Sequence, residues 1–174
     1  FNPAKVKGYR LIGYEKRLLA AEDFNDDTKD AGEIGAGHNV TALYEIVPAD
    51  AKVEVEAADI DELKYQRPSE LTEAADSDEL LTLKLRYKQP DGDKSSLISF
   101  PVEDSTQRFG EASDDFQFAA AVASFGMLLR GSQFAGDANF DAVHEIASAS
   151  RGDDPWGYRQ EFIDLVAKAN ELKK

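Results

Sequence analysis

The chain has 174 residues, 42% hydrophobic and 31% charged, an ordinary balance for a globular protein and long enough for one domain with a real core. Its formal net charge of −14 and pI of about 4.5 argue against nucleic acid and anionic membranes as partners, because phosphate binding needs clustered Lys and Arg. It has no cysteine, which excludes disulfides, thiolate nucleophiles and cysteine-ligated metals, and no apolar run reaches the roughly 18–20 residues of a membrane helix.

The chain opens on Phe1-Asn2-Pro3, without an initiator Met or a signal peptide, and reads as cut from something longer. Residues Lys5–Glu15 predict a strand with Tyr9, Leu11 and Gly13 on one face and Arg10, Ile12 and Tyr14 on the other. Its glycines point to a bulge or a close backbone approach. Arg17–Phe24 fits either a short helical turn or a continued strand.

The organising stretch follows, an acidic and then glycine-rich loop over Asp23–Gly37 that feeds a strand over His38–Val47. Asp23, Asn25 and Asp27 stand at i, i+2 and i+4, with Asp30 beyond, the alternation that wraps oxygen ligands round a calcium ion. Thr28 then stands where a calcium loop turns on glycine, and Ile34 where it ends on a bidentate Glu. The loop therefore offers Asp23, Asn25, Asp27 and Asp30 as candidate calcium ligands, with a solvated acidic loop as the plain alternative. A long loop anchored to a strand is also a candidate contact surface, carried by Asp26, Glu33, Gly35 and His38.

Val40–Val47 carries bulk on both faces, as a central strand does, and Pro48 ends it. Lys52–Glu56 predicts a short edge strand, and Ala57–Ser77 an acidic loop. Leu80–Lys88 alternates cleanly, with Leu81, Leu83, Leu85 and Tyr87 on a dry face and Thr82, Lys84, Arg86 and Lys88 on a wet, basic one. Pro90-Asp91-Gly92-Asp93 is a turn, and Ser95–Val102 returns with Ile98, Phe100 and Val102 in register, making an antiparallel hairpin.

The remainder reads as helical. Ser113 caps a helix over Asp114–Arg130, stopped by Gly131, whose apolar residues go nearly all round and so predict a buried core helix beneath the sheet. Asn139 or Asp141 opens a second helix ending near Ser150. Asp154 caps a third, with Pro155 at its first position. Tyr158, Phe162, Leu165, Val166, Ala169 and Leu172 form one apolar stripe on it.

Chemistry is sparse. His38 and His144 lack a second histidine nearby, there is no GxSxG elbow, and no glycine-rich nucleotide loop follows a strand. Arg151-Gly152-Asp153 spells an adhesion tripeptide, but three residues arise readily by chance. Trp156 beside Tyr158 reads as an anchor between helices. These observations predict no enzyme and no cofactor beyond the calcium alternative.

The runs FNPAKVKGYRLIGYEKRLL and DFNDDTKDAGEIGAGHNVTALYEIVP, with DDFQFAAAVASFGMLLRGS and SRGDDPWGYRQEFIDLV in the helical half, resemble the C-terminal domain of bacterial von Willebrand factor type A (VWA) domain proteins. The resemblance covers nearly the whole chain. It implies an exported, often lipid-anchored envelope protein with a VWA domain upstream and a C-terminal domain of unknown function. The DxSxS motif of a VWA metal site does not occur here, since Asp104-Ser105-Thr106 does not supply it. That metal would belong to the upstream domain.

The expected architecture is α+β, a single domain over 1–174 with an antiparallel, sandwich-like sheet over 1–104 and three helices over 113–174 packed on it. The expected role is a non-catalytic interaction module that supports the upstream VWA domain and helps bind an envelope protein, outside the cytoplasm. The alternatives are a calcium-binding module and an envelope enzyme.

Overall fold

The computed structural model describes residues 1–14, 18–29, 32–52 and 70–173. Asp30, the expected strand residues 53–56 and residues 57–69 of the expected acidic loop lie outside them. The chain divides into two compact units, Phe1–Ser105 and Thr106–Lys174, so the division falls where sequence patterning turns from strand to helix. The fold class is α+β, with antiparallel two-stranded sheets followed by three helices.

In the first unit, β1 (Val6–Ile12) pairs antiparallel with β2 (Leu43–Pro48). The pairing slips between Val6 and Gly8, so the bulge falls at an expected glycine. Gly13, at φ +79°, then ends the strand in the left-handed region that glycine enters freely. Arg10 stands opposite Glu45 and pairs with it at 2.5 Å, a cross-strand ion pair on the wet face. Tyr9 and Tyr44 share the other face, where Phe1 stacks on Tyr9 with ring centroids 3.9 Å apart.

β2 differs from its reading as a central strand. Among the described residues it pairs with β1 alone, and it begins five residues after His38 rather than at it. None of its residues is buried, so bulk on both faces does not mark a strand covered from both sides. The ambiguous segment before the loop is a 3₁₀ turn over Ala21–Asn25.

β3 (Glu79–Tyr87) and β4 (Ser96–Glu103) form the expected hairpin, closed by a turn in which Gly92 N–H donates to the Gln89 carbonyl at 2.9 Å. Leu81, Leu83 and Leu85 face Val102, Phe100 and Ile98. Asn2 ties the unit together: its backbone N–H donates to the Leu80 carbonyl at 2.8 Å and its side-chain amide to Ala75 and Glu79 carbonyls.

The second unit is a three-helix cluster of α1 (Asp114–Leu129), α2 (Phe140–Ala149) and α3 (Tyr158–Leu172). Ser113 caps α1 by accepting from Phe116 N–H, and Asn139 caps α2 by accepting from Ala142 N–H. The core holds Ala121, Phe125, Phe140, Val143, Ala147, Ile163 and Val166. Phe125 meets Phe140 and Phe162 edge-on at 5.8 and 5.4 Å. The buried Ser150 hydroxyl is satisfied by the Ile146 carbonyl at 2.7 Å.

Two helical expectations are corrected. α1 is not buried all round, because Phe116, Val122 and Leu129 are exposed while Ala121, Phe125 and Met127 are buried. α3 starts at Tyr158, not at Pro155. A turn from Asp154 to Gly157 (φ +74°) precedes it, and from that turn the Asp154 carboxylate accepts from Gln160 N–H at 2.9 Å. Asp154 thus caps α3 from one turn further back. Those hydrogen bonds, Gln160 first and then Arg159, hold its carboxyl below the ordinary value of 3.8.

Candidate functional site

The Asp23–Gly37 loop has two parts with different surroundings. The first is stapled to the turn end of the β3–β4 hairpin. Arg86, on the basic face of β3, donates from Nη2 to Asn25 Oδ1 at 2.9 Å and from Nη1 to Ser95 Oγ at 2.8 Å. Its guanidinium also lies over the Phe24 ring, 5.5 Å from the centroid. The Asp27 carboxylate accepts from the Ser95 hydroxyl and from Ser95 N–H, and Lys88 donates to the Asp27 carbonyl at 2.5 Å. The one basic stripe on an acidic chain is therefore met, at its turn end, by the chain's own acidic loop.

The candidate calcium ligands are accounted for one by one. Asp23 pairs with Lys29 at 3.4 Å, Asn25 takes the Arg86 bond and Asp27 takes Ser95. Asp30 lies outside the described residues. Among the described residues, no group of three His, Asp or Glu side chains is placed to hold a metal ion. The Ser95 hydrogen bonds hold the Asp27 carboxyl below 3.8, helped by Lys88 and Arg86.

Of the candidate contact residues, Asp26 folds back on its own segment. Its Oδ1 accepts from Thr28 Oγ1 at 2.7 Å and Thr28 N–H at 2.9 Å, an Asx turn that also lowers its carboxyl. Glu33, Gly35 and His38 lie in the exposed second part of the loop. There His38 N–H donates to the Gly35 carbonyl at 3.1 Å, and the imidazole covers Gly35 so closely that a Cβ would sit 2.8 Å from Nδ1. A side chain at Gly35 would have to displace the exposed His38 ring, while Gly37 is favoured by its φ of +77°.

The larger feature lies on the hairpin's other face. Leu83, Leu85, Tyr87, Ile98, Phe100 and Val102 form a continuous apolar ladder, and each is between 37% and 48% exposed. This is the face expected to be dry. A hairpin of two strands is marginal alone, and among the described residues this apolar face is left uncovered. An acidic cleft of about 700 Å³ adjoins the opposite end of the hairpin, lined by Lys5, Ile46, Asp50, Asp78, Leu80 and Glu103 among others. Its Lys5–Asp78 pair at 3.3 Å is solvent-exposed and contributes little.

Sequence reasoning missed Arg86, Lys88 and Ser95 as partners of the loop. The signal that could have found them was charge: an acidic loop and a lone basic stripe in one chain.

The family model for the C-terminal region of uncharacterized protein YfbK matches residues 1–172. The chain belongs to this family. It is 42% identical over 170 residues to "Uncharacterized protein YfbK" of Escherichia coli (strain K12), an alignment that takes in 98% of this chain and 28% of that relative. The chain thus spans 28% of the length of the curated relative it matches. No solved structure matches. Membership in a YfbK C-terminal family agrees with the expectation of a C-terminal domain of unknown function.

Proposed function

We propose that this chain is a non-catalytic interaction module that binds protein through the apolar face of the β3–β4 hairpin. The partner is an upstream VWA domain of the same protein, at the bacterial cell envelope. The observation that carries the reading is the ladder itself, six large apolar side chains left between 37% and 48% exposed on one face of a two-stranded sheet. The family's YfbK relative has most of its length outside the matched region, which leaves room for such a partner. The VWA assignment and the envelope location rest on the sequence resemblance. In this reading the Phe24–Asp27 staple buttresses the hairpin from its basic face.

The test is calorimetric titration of this chain with the separately produced upstream region of the same protein, with and without magnesium. Wild type is expected to bind at micromolar affinity or tighter. Leu83→Glu and Phe100→Glu, both on exposed side chains, are expected to abolish binding with little change in melting temperature. Wild-type affinity in both variants would refute the hairpin as the binding face.

A further inference from the structure

α3 presents a second apolar line that its own unit does not cover. Ile163 and Val166 point into the core, 5% and 0% exposed. About a third of a turn round the helix, Tyr158, Leu165 and Leu172 are 72%, 52% and 80% exposed. Single exposed apolar residues are ordinary on protein surfaces. These three stand seven residues apart, with the half-buried Phe162 and Ala169 between them at the 4–3 spacing of a helix-pairing seam. Of the apolar stripe read from sequence, Val166 turns inward beside Ile163, which the stripe left out, while Tyr158, Leu165 and Leu172 turn outward.

We propose that the Tyr158–Leu165–Leu172 line is the contact through which two copies of this chain associate, with their α3 helices antiparallel about Leu165. Charge along the seam selects this occupant and this direction. Glu161 and Lys168 flank the line on its open side, both exposed. At 1.5 Å per residue, Glu161 lies about 6 Å before Leu165 and Lys168 about 4.5 Å after it. Reversing the second helix about Leu165 brings Glu161 of each copy level with Lys168 of the other, to within about 1.5 Å along the axis, so the pair forms twice. Tyr158 of each copy then meets Leu172 of the other. A parallel pairing offers no such reciprocal contact between Glu161 and Lys168. Antiparallel helices also oppose their dipoles favourably. A seam of 15 residues is about 22 Å long, small for a permanent dimer, so the association is weak and concentration-dependent.

Sedimentation equilibrium of the full chain, from about ten micromolar to about one millimolar, tests this. Wild type is expected to show a reversible monomer–dimer equilibrium, and Leu165→Glu to be monomeric throughout. Glu161→Lys and Lys168→Glu are each expected to weaken the dimer about tenfold, since two rim ion pairs become two repulsions. The double variant E161K/K168E is expected to recover wild-type affinity, because its charges are again complementary under reversal. Both charge positions are exposed, so these variants decide the matter even if Leu165→Glu perturbs the helical unit. A monomeric wild type, a dimer insensitive to Leu165→Glu, or a double variant as weak as the singles would each overturn the proposal.

Discussion

Arg86 is the residue whose removal tells most about the loop. Arg86→Ala deletes the bond to Ser95, the bond to Asn25 and the contact over Phe24. Asn25 is exposed and recovers water, so that bond contributes about 0.5 kcal/mol, while the half-buried Ser95 bond contributes about 1 kcal/mol. The cation–π contact adds about 0.5–1 kcal/mol. The sum is about 2 kcal/mol, which corresponds to a roughly 30-fold larger open population of the Phe24–Asp27 segment. Amide hydrogen exchange reads this directly. The amide of Ser95, which donates to Asp27 at 3.3 Å, and the amide of Asp26, which donates to the Asp23 carbonyl at 3.1 Å, are expected to exchange faster by that factor. Arg86→Lys keeps the charge without the forked geometry and is expected to fall between. Unchanged exchange at both amides in Arg86→Ala would refute the view that Arg86 holds the loop to the hairpin.

Calcium at millimolar concentration is expected to leave the melting temperature unchanged, because the Asp23, Asn25 and Asp27 side chains already take Lys29, Arg86 and Ser95; a saturable upward shift would show selective binding to the folded state. The Asp26, Asp27 and Asp154 carboxyls are held below 3.8 in the folded chain, so their contribution is complete above that value and is lost as pH falls through the lower folded values. Melting temperatures measured from about pH 5 down to about pH 2 are expected to fall less steeply for Asp27→Asn than for wild type. In the helical unit Phe125→Ala removes a ring buried to 6% exposure and packed edge-on against Phe140 and Phe162; the expected cost is about 3–5 kcal/mol, followed by helical circular dichroism during urea unfolding.

Much of the fold was legible because its determinants are local. The caps Ser113 and Asn139, the bulge near Gly8, the turn at Gly92 and the register of Leu81, Leu83 and Leu85 against the returning strand follow from residue type and period. The start of α3 was misread for a related reason. Asp154 and Pro155 carry the signature of a helix start, but Gly157 inserts a left-handed turn that only backbone geometry reveals. Loop docking left no periodic trace, because Asn25 and Arg86 are 61 residues apart, and only the opposite charges of loop and stripe hinted at it.

The same period that predicts a strand or helix face says nothing about what covers it. Leu83-Lys84-Leu85-Arg86 reads as one dry face and one wet face whether or not another surface is present, and the α3 stripe reads as a core face throughout. In the folded chain these patterns separate by exposure. Ile163 and Val166 are consumed by the core, while Leu165 and the hairpin ladder are left over. Chemistry-bearing residues carry no comparable signal here, since the loop carboxylates most suggestive of a ligand site are engaged by Lys29, Thr28 and Ser95. Unspent apolar surface on the hairpin and on α3, rather than any cluster of chemical groups, is therefore what the two proposed protein contacts rest on.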